Sequence, residues 1–180
     1  DGGIWWQSLT NVPATNLYCV WTTTNYIGSP LAVWRLFWSS VTDTVDRVFN
    51  VRPFKLYVND EDASGDVYCS APGNPSFAGI SANEPALEIQ AVLKNYELDY
   101  GDSVYMDTGY YLLSSNVTIG SKHSGSTNGC ARLIGSTNDT AGGTLIDRYS
   151  AARNARCLHL DGADYFQVYG LSFTGGEYAV

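Results

Sequence analysis

The sequence predicts an all-β fold, in which a β-sandwich-like N-terminal part is followed by a repetitive, solenoid-like part with one short helix. Two observations predict it. The 180 residues include 18 glycines and 13 tyrosines but only 16% charged residues, a composition typical of short strands separated by many turns. Apolar, β-branched and aromatic runs also alternate with turn residues along the chain, as in β proteins. We place the two domains at residues 1–53 and 54–180.

The N-terminal part contains four runs that predict strands, at residues 4–7, 17–23, 31–39 and 45–51. Strands of this length and spacing indicate an antiparallel sandwich. Residues 12–18 and 47–51 resemble the closing strands of immunoglobulin-like modules in large bacterial surface proteins. Because a complete module of that kind needs about 100 residues, we interpret residues 1–53 as the tail of one.

All five tryptophans fall in this first third of the chain, as Trp5, Trp6, Trp21, Trp34 and Trp38. Large aromatic side chains fill the cores of sandwiches and also form exposed platforms with one polar edge. Two interpretations therefore stay open, a packed core and a carbohydrate-binding face on which sugar rings stack.

The second part begins at Pro53, because proline restricts the residue before it and cannot continue a central strand. Residues 85–96 predict the one helix, since their apolar residues recur at helical spacing and Pro85 suits the first turn. Ser81 or Asn83 would cap this helix.

Short β runs separated by glycine-rich turns continue from the helix to the end of the sequence. Residues 132–135 and 158–162 are similar to each other and are spaced as successive coils of a solenoid, whose repeats are about 20 to 30 residues long. Such repeats stack on their neighbours rather than fold alone.

The order of these pieces carries a resemblance to a known family. Residues 57–60, 76–81, 89–93 and 101–111 resemble the entry segment of pectate-lyase-like right-handed parallel β-helix proteins, and residues 158–176 are similar to their coil repeat. The resemblance covers about two thirds of the chain. It implies the start of a parallel β-helix whose N-terminal end is capped by the helix. No basic residue matches a lyase motif, so we assign no catalytic residue.

Composition excludes two classes of partner. The net charge is −8 with only ten basic residues, which leaves no basic surface for nucleic acid or for anionic lipid. No stretch approaches the ~18 continuous apolar residues of a membrane span. We therefore expect neither nucleic-acid binding nor membrane insertion.

The four cysteines are far apart and form no C-x-x-C pair, which argues against a zinc or redox site. They leave two interpretations, disulfides and buried free thiols. Among the three pairings that four cysteines allow, we prefer a bridge between Cys130 and Cys157, because both precede predicted strands of successive coils.

One acidic segment has the pattern of a calcium loop. Asp60, Asp62, Ser64 and Asp66 place oxygen ligands at alternating positions, and Gly65 supplies a tight turn. The loop lacks the bidentate glutamate of an EF-hand. The alternatives are a calcium loop of another type and a solvated acidic turn, and calcium is the one candidate cofactor.

Two asparagines lie in acceptor sequences for N-linked glycosylation, Asn116 in Asn-Val-Thr and Asn138 in Asn-Asp-Thr. Such sequences are used only in secreted proteins that meet the glycosylation machinery.

These features favour a structural or adhesive module of a secreted, cell-surface or fibre-forming protein that binds carbohydrate and is not an enzyme. The alternative is the N-terminal part of a polysaccharide lyase or glycoside hydrolase acting on acidic polysaccharide. Because the solenoid end is open, we expect contact with another copy, by head-to-tail stacking into dimers or fibres, or with the remainder of a longer chain. A polysaccharide is the other expected partner, and the expected location is extracellular or at the cell surface.

Overall fold

The structure, a computed structural model, describes residues 8, 10, 11, 13, 28–38, 40–44 and 49–180. The chain divides into two compact units, Asp1–Arg52 and Pro53–Val180. The described residues are mainly β-strand with one short α-helix, which confirms a mainly-β fold class. No helix among them is both long enough and apolar enough to cross a membrane.

The first unit contains two antiparallel strand pairs in its described part. Strand β1 (Ser29–Ala32) pairs with β4 (Phe49–Val51), and β2 (Arg35–Trp38) pairs with β3 (Val41–Thr44). The single strand predicted at residues 31–39 is therefore wrong, because the chain leaves the extended ladder between β1 and β2. The strands predicted at residues 4–7 and 17–23 lie outside the described residues, and the sandwich stays a prediction.

The second unit consists of nine short strands, one α-helix and two 3₁₀ helices, Ser121–His123 and Asp139–Ala141. The helix is α1 (Ile89–Asn95). The strands are β5 (Lys55–Val58), β6 (Ser103–Met106), β7 (Gly109–Leu112), β8 (Val117–Gly120), β9 (Ala131–Ile134), β10 (Thr144–Asp147), β11 (Leu158–Asp161), β12 (Phe166–Tyr169) and β13 (Leu171–Thr174).

These nine strands form three parallel sheets. Sheet A has the order β12-β9-β6-β5, sheet B the order β13-β10-β7, and sheet C the order β11-β8. From β6 onwards the chain enters sheets A, B and C in turn, repeats the cycle with β9, β10 and β11, and returns to A and B with β12 and β13. Each passage therefore adds one strand to each sheet.

The pairing corrects the repeat that the sequence predicts. Residues 132–135 belong to β9 and its following turn in sheet A, whereas residues 158–162 contain β11 of sheet C. The partner of β9 in the next cycle is β12, in which Phe166 pairs with Ala131. Both segments have the same apolar alternation, because strands of all three sheets face one interior.

The core lies between the three sheets and is filled by every second residue of each strand. On sheet A, Leu56, Val104 and Leu133 are fully buried and lie in register on β5, β6 and β9. On sheet C, the strand β8 buries Val117 and Ile119 and exposes the residue between them. Because side chains alternate between the interior and the surface along each strand, the inward residues of all three sheets form one continuous apolar core.

The free edge of β5 is covered by the loop that precedes α1. The Tyr57 N–H donates to the Gly79 carbonyl (2.7 Å). The Ala86 N–H donates to the Tyr57 carbonyl, and the Ala86 carbonyl accepts from the Asn59 N–H (2.9 Å each). The α1 helix packs Ile89, Val92 and Leu93 against the same end. Because residues near Ala86 are extended, the helix begins at Ile89, not at residue 85, and neither Ser81 nor Asn83 caps it.

The opposite edge, formed by β12 and β13, is not covered in this way by any described residue. Within the part of the chain that the structure describes, β12 and β13 pair on one side only. Their inward side chains, Phe166, Val168, Leu171 and Phe173, pack against the core but remain partly exposed. This edge therefore presents both backbone hydrogen-bonding groups and apolar surface.

Candidate functional site

The loop of residues 59–74, which follows β5, is anchored by one buried carboxylate. Asp107 stands directly after β6 and is fully buried. Its Oδ1 accepts hydrogen bonds from the N–H groups of Val67 (2.7 Å) and Thr108 (2.8 Å). Its Oδ2 accepts from those of Tyr68 (2.7 Å) and Cys69 (2.5 Å). Four donors compensate the buried charge, so the carboxylate fixes the loop.

The residues proposed for calcium lie in this loop, but their oxygens serve the loop itself. Asp60 accepts from the N–H groups of Asp62 (2.9 Å) and Tyr110 (3.0 Å). Asp62 Oδ1 accepts from both the N–H and the hydroxyl of Ser64, and these bonds lower the pKa of Asp62. The bonds that span two positions are typical of Asx turns in acidic loops, whereas the bond from Tyr110 connects the loop to β7.

Asp66, the fourth of these residues, is in an unusual state. Its Oδ2 accepts from Asn59 Nδ2 (2.6 Å), whereas its buried Oδ1 has no hydrogen-bond partner among the described residues. Desolvation, followed by repulsion from Asp107 and the other loop carboxylates, raises the pKa of Asp66 to about 6. This carboxyl therefore changes its charge near pH 6.

The described residues contain no group of three or more histidine, cysteine, aspartate or glutamate side chains that could hold a metal ion. The four residues proposed for calcium therefore lie in one loop, but their side-chain oxygens do not converge on one point. It stays a prediction.

The structure does not form the bridge predicted between Cys130 and Cys157. Both are free thiols, as is Cys69, while Cys19 lies outside the described residues. Cys130 directly precedes β9 of sheet A and Cys157 directly precedes β11 of sheet C, so the two do not stand at equivalent points of successive cycles. The buried Cys157 thiol instead donates to the Thr174 carbonyl (3.1 Å).

The two candidate glycosylation residues already use their side-chain nitrogens. Asn116 Nδ2 donates to the Asn154 carbonyl (3.0 Å), and its Oδ1 accepts from Arg148 and Arg156. Asn138 Nδ2 donates to the Gly65 carbonyl (2.7 Å) and its Oδ1 caps the 3₁₀ helix that follows. Both amides therefore connect turns that are distant in sequence, a role that the acceptor sequences do not reveal.

A tyrosine cluster on the outer face of sheet A is a feature that the sequence analysis missed. Tyr57 and Tyr105 are paired across β5 and β6 with their rings stacked at 5.7 Å between centroids. Tyr68 of the anchored loop packs on Tyr105 at 4.9 Å and donates its hydroxyl to the Gly135 carbonyl. The alignment of Leu-Tyr-Val-Asn at 56–59 with Val-Tyr-Met-Asp at 104–107 is the signal that could have revealed it.

A second site lies beside the helix that packs against the β5 end, where a pocket of about 310 Å³ opens between α1 and β8. His123, which is almost fully buried, connects the two elements at its base. Its Nδ1 accepts from the Gly120 N–H (3.1 Å), so Nε2 carries the proton and donates to the Leu93 carbonyl (2.9 Å). Burial is the main cause that lowers the pKa of His123, which keeps the ring neutral.

Comparison with known proteins gives no relative on which to base a function. No protein-family model, curated protein or solved structure matches this chain. The function must therefore be argued from the geometry described above.

Proposed function

We propose that this chain is a structural and adhesive module of an extracellular or cell-surface protein, and that its second unit is the capped beginning of a right-handed parallel β-helix. The observation that carries the proposal is the repeated passage of the chain through sheets A, B and C, with strands of successive cycles in parallel register. An architecture that adds strands in this way extends as a rod, which suits a stalk or fibre.

The β5 edge is covered, whereas no described residue covers the edge of β12 and β13, and this difference suggests that a partner binds at β12 and β13. The β5 edge is occupied by Gly79 and Ala86, so head-to-tail stacking, the expected route to fibres, would have to displace the cap. The edge of β12 and β13 offers unpaired strands and partly exposed core residues. We therefore propose that this edge receives a further strand layer, from additional chain or from a second copy.

Carbohydrate binding is the second candidate, and the tyrosine cluster favours it. The row of residues across the outer face of sheet A runs Tyr57, Tyr105, Ile134 and Tyr169. Tyr169 is 44% exposed, and an aromatic ring with one accessible face can stack on a sugar ring. Tyr169 would stack on one sugar of a saccharide that lies along this row.

Two measurements test the structural role. Antibodies against residues 53–180 should label intact, unpermeabilised cells that produce the full protein. Labelling that requires permeabilisation would contradict an extracellular location. The purified full protein should not degrade polygalacturonate or alginate, and sustained release of reducing or unsaturated chain ends would refute a non-catalytic module in favour of the lyase or hydrolase.

A sedimentation series of the 180-residue chain tests the edge. Concentration-dependent dimers that disappear in Phe173→Lys would support pairing with a second copy at β13. A stable monomer at every concentration would contradict the argument that this edge requires a further strand layer.

A further inference from the structure

The pocket between α1 and β8 is an open cleft that combines two lysines with apolar surface. Its lining residues are Gln90, Leu93, Lys94, Thr118, Gly120, Lys122 and His123. None of them is acidic, although the chain has 18 acidic and only ten basic residues. The volume of about 310 Å³ is at the small end of the range for ligand sites.

The two lysines reach the pocket from different elements. Lys94 lies in the last turn of α1, and Lys122 lies in the 3₁₀ helix that follows β8. Both side chains are exposed. The helix dipole stabilises a cation in the last turn of a helix, which explains the position of Lys94 but not that of Lys122. Lys122 reaches the same pocket from a different element.

The imidazole of His123 at the base of the pocket is neutral and is held by hydrogen bonds at both nitrogens. Both nitrogens of His123 are engaged, with Gly120 and with Leu93, so the ring fixes the distance between the helix and β8 without adding charge. The Leu93 side chain and the aliphatic stems of the lysines supply apolar contact. Thr118 and Gln90 add a hydroxyl and an amide at the rim.

We propose that this pocket binds a small organic carboxylate. The two ammonium groups would hold the carboxylate oxygens, and the apolar part of the ligand would lie against Leu93. Two other kinds of ligand are not equivalent: two lysines repel a cation, and a bare inorganic anion gains nothing from the apolar surface.

Titration of the ¹⁵N-labelled 180-residue chain with benzoate tests the proposal, with benzamide as a neutral ligand of the same shape and sulfate as an anion without an apolar part. Benzoate should shift the amide signals of Thr118, Gly120 and Lys122 in a saturable manner. Benzamide and sulfate should bind at least about tenfold more weakly, which corresponds to about 1.4 kcal/mol.

Lysine variants distinguish binding by the two pocket lysines from a general effect of net charge. The double variant Lys94→Ala, Lys122→Ala should weaken benzoate binding at least about tenfold, whereas Lys55→Ala, which removes an exposed lysine on β5 of sheet A, should leave it unchanged. Unchanged amide signals of β6 and β9 without ligand show that the double variant retains the fold. Absence of saturable shifts, equal binding of benzamide, or equal weakening by Lys55→Ala would each overturn the proposal.

Discussion

Replacement of Asp107 by alanine is expected to destabilise the second unit strongly, because one side chain satisfies four backbone donors. A hydrogen bond to a charged group contributes about 1.5 to 3 kcal/mol. Water can replace part of that loss for the donors of the partly buried loop, so we take about 1 kcal/mol for each bond and expect a total loss of about 4 kcal/mol. This is a large fraction of the about 5 to 15 kcal/mol that stabilises a typical domain.

Urea denaturation and limited proteolysis measure this effect. Asp107→Ala should lower the free energy of unfolding by about 4 kcal/mol and expose residues 59–74 to cleavage, while Asp107→Asn, which keeps one acceptor oxygen, should lose about half as much. The control is Asp164→Ala, at an exposed position, which should change stability by less than about 0.5 kcal/mol. A loss below about 1 kcal/mol in Asp107→Ala, or equal losses in Asp107→Ala and Asp164→Ala, would refute the role of this carboxylate as the anchor of the loop.

Three further predictions concern protons and calcium. Because the folded state raises the pKa of Asp66 to about 6, it binds more protons than the unfolded chain between about pH 4 and 6, and stability should fall as pH rises through that window. Asp66→Asn should flatten this part of the stability profile measured by thermal unfolding, and an unchanged profile would show that Asp66 ionises normally. The lowered pKa of His123 has the opposite sign, so acidification below about pH 6.5 should destabilise the protein. That sensitivity should persist in His159→Gln and disappear in His123→Gln, and the reverse result would contradict the lowered pKa of His123. Calcium, if the acidic loop binds it, should raise the thermal midpoint relative to chelator, with no increase in Asp62→Ala. Equal midpoints with calcium and with chelator would remove the calcium hypothesis.

The fold class and the helix could be predicted because both depend on short-range patterns. Alternation of apolar residues specifies which side of a strand faces the core, and the helical spacing around Val92 and Leu93 specifies the cap. The phase of the repeat could not be predicted in the same way. Ser103 pairs with Arg132, 29 positions later, but Val117 pairs with Leu158, 41 positions later. Turns of unequal length remove the fixed period on which a repeat search depends.

The candidate sites show the same division. The sequence identifies the acidic residues of the loop but not the carboxylate that holds it, because Asp107 is about 40 positions from its donors Val67, Tyr68 and Cys69. The pocket lysines were missed for a related reason. Lys94 and Lys122 belong to separate elements, and only the packing of α1 beside β8 brings them to one cavity.

The buried polar residues at the turn from sheet A to sheet B offer a reason why the strands keep their register. Asn59 and Asp107 follow β5 and β6 at equivalent positions and are fully buried. Ser136 follows β9, its hydroxyl bonds to the Thr108 hydroxyl (2.6 Å), and its N–H donates to the Thr144 hydroxyl oxygen (2.7 Å). A slip of two residues would keep the apolar side chains facing the core but would move these polar groups away from their hydrogen-bond partners. Because a buried polar group without a partner is costly, the polar corner excludes the registers that apolar alternation alone would tolerate.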